Sequence, residues 1–239
     1  MDQPRRPPRP ERLPPHDLIP HDPMRLAIAE RVSTSHREKP TFYVSVDVDV
    51  SGLLKRRQAL KAAAAEGAII PTVNDYVLKA AALMLREHRS FNSWYADEGL
   101  RVLHELNVGF AVGTERGVLL PTVFRADEKS LADIAAETRE MADLARIGKL
   151  RAGLQRDAGF TISNLGGLGI DRFTAIISPP QTAILSVGAA KPTPVVVSGE
   201  IAIRPMMNCT LTVDHRVHDG EATARAMVTL REVLAGEWA

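Results

Sequence analysis

The sequence has little cysteine and no long apolar run. Its 239 residues include a single cysteine, Cys209, which excludes an intrachain disulfide framework and a multi-cysteine zinc site. No stretch approaches the roughly 18 consecutive apolar residues of a membrane span, and the N-terminus lacks the apolar core of a secretory signal. We therefore expect a cytoplasmic protein that neither spans a membrane nor is secreted.

An excess of charge of one sign is also missing. The 30 lysines and arginines nearly balance the 29 aspartates and glutamates, for a formal net charge of +1. Such a chain has no strong field to attract nucleic acid or anionic lipid, so we expect partners recognised by shape and local chemistry. A content of 45% hydrophobic and 25% charged residues is typical of a globular protein, and the length favours one large domain.

The N-terminal end is rich in proline and arginine. Residues 1–16 hold six prolines and four arginines with almost nothing to bury, which predicts an extended, polyproline-like segment. This segment is either the end of a linker or a disordered start without a role. We place the tail at residues 1–17 and a single folded domain at residues 18–239.

Hydrophobic periodicity predicts both helices and strands. Helices are expected from Pro23 after a cap at Asp22, over 51–66, 73–88 and 130–147 after caps at Ser51, Thr72 and Ser130, and from Glu221 onwards. Strands are expected at 41–50, 106–113, 117–124, 160–164, 182–189, 194–200 and 207–213. Because the two types do not alternate regularly, the pattern favours an α/β sandwich with a mixed sheet over a doubly wound parallel one.

The segment TLTVDHRVHDG, residues 210–220, carries the densest group of reactive side chains. Strand alternation places His215 on one face, after Cys209, Leu211 and Val213, and at the end of the strand, where it can project into a cleft. Histidine ordinarily titrates near neutral pH and can act as a base there. The alternative is a packed or surface histidine with Asp219 as a helix cap, and capping is expected in either case.

The sequence gives little support for a cysteine nucleophile or a metal site in this segment, or for a nucleotide site nearby. About 20 Å of strand separates Cys209 from His215, too far for a nucleophile and its base. A metal site of His215, His218 and neighbouring aspartates lacks the helical spacing that brings two imidazoles together, so we predict no metal. The glycines of SNLGGLGI match no nucleotide-binding pattern and predict a tight turn.

The segments FTISNLGGLGIDRFTAIISPPQTAILSVGA (160–189) and TLTVDHRVHDG together resemble the catalytic domain of dihydrolipoamide acyltransferases, the core component of 2-oxo acid dehydrogenase complexes. Earlier segments also fit, namely PMRLAIAERV, VDVDV, FNSWY and LNVGFAVGTERGVLLPTV. The resemblance covers residues 18–236. It implies a fold like that of chloramphenicol acetyltransferase, a two-layer α/β sandwich with a mixed sheet, in trimers with active sites between subunits.

The resemblance also implies the reaction and the partners. The enzyme would move an acyl group between dihydrolipoamide and coenzyme A, with the lipoyl group supplied in trans or by a missing domain. Its partners would be its own copies, a lipoyl domain and the dehydrogenase components. Acetyl is the expected acyl group, because residues 169–189 look most like the pyruvate-type enzymes.

By the same resemblance, His215 is the general base that forms the attacking thiolate, and Ser163 donates a hydrogen bond to the oxyanion. Asp219 would hold the histidine loop and pair with Arg57, and Gly220 would allow a close turn. Arg57, Asn164 and Gly220 are the expected substrate-binding positions.

The chain departs from the family in three places. It has no lipoyl domain and no peripheral-subunit-binding domain, and its end lacks the longer apolar segment of many relatives, which predicts a lone trimer. A stand-alone acyltransferase with another acceptor, such as a small hydroxyl, an amine or a carrier-bound thioester, is an alternative. A non-catalytic assembly core is a further one, which ranks last because His215 is present.

Overall fold

The computed structural model describes residues 14–238, which fold around a six-stranded sheet. The expected proline-rich tail falls mostly on residues 1–13, outside the described residues. Residues 14–22 are exposed and form neither helix nor strand. None of the described helices is long and apolar enough to cross a bilayer.

The helices form close to where the sequence predicts them. They are α1 (Pro23–Glu38), α2 (Ser51–Ala63), α3 (Val73–Glu87), α4 (Leu131–Arg146) and α5 (Gly220–Ala235). The strands are β1 (Thr41–Asp49), β2 (Ser93–Ala96), β3 (Gly99–Val102), β4 (Val108–Phe110), β5 (Val112–Thr114), β6 (Gly117–Leu119), β7 (Thr122–Val123), β8 (Phe160–Asn164), β9 (Ala183–Val197) and β10 (Glu200–Asp214).

Local side-chain chemistry sets the helix starts. Thr72 and Ser130 begin α3 and α4 with complete capping boxes, in which each hydroxyl accepts from a backbone N–H three residues later. The prediction of Ser51 as a cap is wrong. It is the first residue of α2, and its hydroxyl donates to Asp49 Oδ1 at 2.5 Å.

The large sheet is mixed, as predicted. Its strand order is β1-β10-β9-β8-β4-β7, with β8 parallel to both of its neighbours and the other pairs antiparallel. The predicted strand 106–113 divides into β4 and β5, and 117–124 divides into β6 and β7, because the β5–β6 hairpin leaves the sheet. The predicted strands 182–189 and 194–200 are one strand, β9, and β10 begins seven residues earlier than expected.

The two faces of the large sheet differ in polarity. Cys209, Leu211 and Val213 are fully buried, in one core with apolar side chains of α3 and α5. The alternate residues Thr210, Thr212 and Asp214 point to the other face and are buried as well. The sheet therefore separates an apolar, helix-covered face from a polar face.

The glycine-rich segment after β8 forms a tight turn, as predicted. A Cβ on Gly166 would lie 2.5 Å from the carbonyl oxygen of Gly188, and a Cβ on Gly188 would overlap the carbonyl oxygen of Asp171. The N–H of Ala189 donates to the carbonyl of Ile170 at 2.8 Å, which closes the segment onto β9. These glycines are needed for close backbone packing.

Gly188→Ala is expected to lower the free energy of unfolding by about 1–3 kcal/mol or more, because the new methyl group must displace backbone. Urea unfolding followed by circular dichroism measures the change. Gly167→Ala is the control, since a Cβ there meets nothing within 4 Å. Equal stability of the two variants would contradict the packing role of Gly188.

Candidate active site

His215 lies at the open end of β10, as the sequence predicts. Its backbone N–H donates to the carbonyl of Pro40 at 2.8 Å, and its ring lies 4.9 Å from the ring of Phe42 on the neighbouring strand. The side chain is exposed. An exposed imidazole on a fixed backbone can accept a proton from a group brought to it.

The residue before the histidine anchors the loop. The Asp214 carboxylate is fully buried and accepts from Arg216 Nε at 2.9 Å and Nη2 at 2.7 Å, while Lys39 Nζ lies at 3.3 Å. The Arg216 guanidinium lies 3.9 Å from the centre of the Tyr95 ring. Burial acts to raise the pKa of Asp214, but the Arg216 hydrogen bonds and the two cations outweigh it and hold the pKa below its usual value.

The far end of the loop is fixed by His218 and Asp219. His218 is buried, stacks on Phe91 at 4.0 Å between ring centres, and has Nε2 3.0 Å from Thr182 Oγ1. Burial lowers the pKa of His218 to about 4. Asp219 Oδ1 accepts from the N–H of Ala222 at 2.8 Å, so Asp219 caps α5 as expected.

Ser163 lies in β8 on the polar face of the sheet. Its side chain is half-buried, and its hydroxyl forms no hydrogen bond within residues 14–238. It lines a cavity of about 670 Å³ between α1, the β5–β6 hairpin and residues 175–181. The apolar lining includes Met24, Ile28, Trp94, Val118, Ile177 and Ile184. A free hydroxyl in a largely apolar cavity is suited to orienting one polar group of a ligand.

Two of the expected substrate-binding side chains, Asn164 and Arg57, form hydrogen bonds within this chain. Asn164 Oδ1 accepts from the N–H of Gly166 at 2.8 Å, so this side chain holds the turn after Ser163. Arg57 Nε donates to the carbonyl of Pro71 at 3.0 Å. The ion pair expected between Arg57 and Asp219 does not form within the described chain, because Arg57 is directed to Pro71 in the loop before α3.

Gly220 differs from expectation too. It is the first residue of α5 and has no positive φ. A Cβ there would lie 3.6 Å from the Phe42 ring, which is ordinary van der Waals contact. The expected requirement for glycine in a close turn is therefore not found.

Ser163 and His215 are far apart within one chain. The register joins Ser163 to Ser186 and Ser186 to Thr210, on the polar face of the sheet. His215 is five residues further along β10 and two strands away, which corresponds to about 19 Å. Its ring also contacts Phe42, which pairs with Val213 on the helix-covered face. The two side chains cannot meet in one copy.

The alternative chemistries find no support in the geometry. Burial, with a smaller contribution from the charge of Asp47, raises the pKa of Cys209 to about 12, so its thiol is not a nucleophile at neutral pH. Across residues 14–238, no group of three His, Cys, Asp or Glu side chains is arranged to hold a metal ion.

Sequence reasoning missed the anchor at Asp214 and Arg216. Both stand in the segment that contains His215, but their role depends on Lys39, which is 175 residues away in the chain. It also missed the cavity lining, since α1 and the β5–β6 hairpin meet only after folding.

Comparisons with known proteins bear on the family. The model of the 2-oxoacid dehydrogenases acyltransferase catalytic domain matches residues 14–238. The dihydrolipoyllysine-residue acetyltransferase component of the pyruvate dehydrogenase complex from Rickettsia bellii is 34% identical over 218 residues, which are 91% of this chain and 52% of that protein. The component of the same name from Rhizobium meliloti is 35% identical over 223 residues, which are 92% of this chain and 50% of that protein. The chain spans about half the length of these curated relatives.

Solved structures of acetyltransferases from pyruvate dehydrogenase complexes are also similar to this chain. The cubic core of the pyruvate dehydrogenase multienzyme complex matches with a TM-score of 0.90 and 35% identity over 96% of this chain and 97% of that one. Dihydrolipoamide acetyltransferase from Azotobacter vinelandii matches with the same values, and a serine, a histidine 52 residues later and an asparagine four residues beyond it were studied there for roles in catalysis. Chloramphenicol acetyltransferase, at 14% identity and a TM-score of 0.56 over 86% of this chain and 94% of that one, shares the fold, which confirms the predicted fold class.

The buried His218 predicts a pH dependence of stability. Histidine in an unfolded chain has a pKa of about 6.5, whereas the pKa of His218 in the fold is about 4. Between these values the unfolded state binds more protons, so lowering the pH from 6.5 to 4 reduces the free energy of unfolding by up to about 3 kcal/mol. Urea unfolding at several pH values measures this loss.

His218→Gln should flatten that pH dependence, because glutamine takes up no proton. His36→Gln, at an exposed histidine of α1, should leave it unchanged. A His218→Gln protein that loses stability between pH 6.5 and 4 as steeply as the unaltered one would contradict the assignment.

Proposed function

The chain belongs to the 2-oxoacid dehydrogenase acyltransferase family, and from this premise we propose that it transfers an acyl group between a dihydrolipoyl group and coenzyme A. The observation that carries the proposal is Ser163, whose hydroxyl is free in a cavity of about 670 Å³. Acetyl is the proposed acyl group, because the relatives are acetyltransferases of pyruvate dehydrogenase complexes.

His215 acts as the general base in this proposal. A thiol with a pKa near 8.5 is mostly protonated at neutral pH, so the imidazole takes its proton as the sulfur attacks the thioester carbonyl carbon. A new carbon–sulfur bond forms and the carbonyl oxygen becomes an oxyanion. When the oxyanion collapses, the original carbon–sulfur bond breaks and the leaving thiolate recovers the proton from His215.

Ser163 stabilises the oxyanion by donating its hydroxyl hydrogen, and loss of one such donor ordinarily costs about 3–4 kcal/mol of transition-state stabilisation. Its spacing supports this role. Ser163 precedes His215 by 52 residues and Asp219 follows by four, the spacing of the three residues studied in the Azotobacter enzyme. An aspartate stands here in place of that asparagine, and we assign it to holding the loop through its cap on α5.

The site is shared between copies in this proposal. Since Ser163 and His215 lie on opposite faces of one sheet, a complete site takes Ser163 from one copy and His215 from the next, which a cyclic homotrimer provides three times. A lipoyl domain and the dehydrogenase components are the proposed further partners. The free, buried Cys209 is in keeping with a reducing compartment such as the cytoplasm.

The first test is acyl transfer from acetyl-CoA to free dihydrolipoamide by the purified protein. His215→Ala should lower kcat/KM by about 10²–10⁴ through loss of the base. Ser163→Ala should lower it by about 10²–10³ through loss of the oxyanion donor. His104→Ala, at an exposed histidine of the loop after β3, is the control and should retain full activity. A fully active His215→Ala protein, or an unaltered protein that transfers no acetyl, succinyl or isobutyryl group, would refute the proposal.

Mixed oligomers test the shared site. Co-refolding equal amounts of the His215→Ala and Ser163→Ala chains should restore about a quarter of the unaltered activity, because about one interface in four receives both intact residues. Refolding each variant alone is the control. If mixing gives no more activity than the two separate variants, the site does not draw Ser163 and His215 from different copies.

A further inference from the structure

Thr122 provides a second hydroxyl in the lining of the cavity that contains Ser163. Thr122 is only 1% exposed, and its Oγ1 has no hydrogen-bond partner among residues 14–238. Thr161, which also lines the cavity, donates its hydroxyl hydrogen to Gln181 Oε1 at 2.7 Å. A buried hydroxyl ordinarily has such a partner, because leaving water without a replacement is unfavourable. The hydroxyl of Thr122 is therefore available to a group that a ligand brings.

Thr122 and Ser163 lie on the same face of the large sheet. The register pairs Thr122 with Gly109 and Gly109 with Thr161. Ser163 follows Thr161 by two residues on β8. Two strand spacings and two residues of strand separate the α-carbons of Thr122 and Ser163 by about 12 Å. The two hydroxyls thus belong to separate positions on the cavity wall.

The wall between these two positions is formed by small side chains. Ala158 packs over Gly109, since a Cβ added to Gly109 would lie 3.4 Å from the Ala158 methyl group. Ala111, which directly follows β4, lines the same cavity. No bulky side chain of these strands blocks the path, so an extended chain can lie along the wall from Ser163 to Thr122.

A hydroxyl at Thr122 suits an amide. Threonine carries its hydroxyl and its methyl group on one carbon, and a change of rotamer exchanges their positions. Because the Thr122 side chain lines the cavity, this rotation is enough to bring Oγ1 to a ligand. A hydroxyl both donates and accepts, so it can pair with the C=O or the N–H of an amide.

The two thiols of the proposed reaction carry an amide at a matching distance. In extended dihydrolipoamide, and at the outer amide of the extended pantetheine arm of coenzyme A, the amide carbonyl lies about 10 Å from the sulfur. With the thioester carbonyl at Ser163, that amide falls near Thr122. An amide in a largely apolar cavity needs a hydrogen-bond partner, because burying it unpaired is costly.

We propose that Thr122 binds the amide of the thiol-bearing arm and is a specificity-determining residue of the site. This inference rests on the proposed function, which supplies the arm. The amide takes no part in the bond changes at the thioester, so its hydrogen bond is equally strong in the bound substrate and in the transition state. Loss of the hydroxyl should therefore raise KM and leave kcat unchanged.

Thr122→Val tests the inference, because it replaces the hydroxyl with a methyl group of similar size. KM should rise about 3- to 10-fold for the substrate whose amide Thr122 binds, with kcat unchanged. The substrate without that amide should show no such rise: a dithiol of the same carbon chain for dihydrolipoamide, or S-acetyl-N-acetylcysteamine for acetyl-CoA. The pair that shows this pattern identifies the arm as lipoyl or pantetheine. Thr122→Ser restores a hydroxyl and should recover most of the lost affinity.

Urea unfolding of the free protein gives a readout that does not depend on activity. Thr122→Val should be at least as stable as the unaltered protein, because it removes a buried hydroxyl that has no partner. A variant that is less stable and has unchanged KM for both substrates would assign the hydroxyl to folding and overturn the inference. So would a loss confined to kcat. Acyl transfer by the unaltered protein would leave the proposed function standing in both cases, whereas an unaltered protein that transfers no acyl group would overturn both proposals.

Discussion

The candidate site depends on one buried carboxylate. Asp214 joins its own loop, through Arg216, to two distant parts of the chain: Lys39, directly after α1, and, through the stacked guanidinium, Tyr95 of the β2–β3 hairpin. A charge with no solvent contact needs its partners, and removing one partner of such a pair commonly costs about 3–5 kcal/mol. Because His215 directly follows Asp214, the same contacts fix the backbone that carries the proposed base.

The sheet imposes a second constraint. Strand alternation directs Ser163 to the polar face, while the ring of His215 lies beside Phe42 at the edge of the helix-covered face. No side-chain rotation crosses a sheet, so one copy holds two incomplete halves of the proposed site. Catalysis and association are therefore coupled in the proposed enzyme, and a mutation that weakens the interface acts on activity without touching either residue.

Much of this architecture could be predicted from local patterns. The alternation of β1, the capping residues Thr72 and Ser130 and the position of His215 at a strand end all follow from short-range periodicity and chemistry. The full length of β9 could not be predicted in this way, because Pro192 and Pro194 are typical of a loop unless they pair with a neighbouring strand. The contacts of Asp214 could not be predicted either, since Lys39 comes close to it only in the folded protein.

The one sulfhydryl of the protein has a consequence for chemistry carried out on sulfur. Cys209 lies in the centre of β10, fully buried, and burial raises its pKa to about 12. An accessible thiolate can take an acyl group from a thioester, releasing the original thiol, and it can attack an existing disulfide. In the proposed reaction, a protein whose own sulfur is buried and protonated neither accepts the acyl group in place of the substrate nor attacks the disulfide of an oxidised lipoyl group.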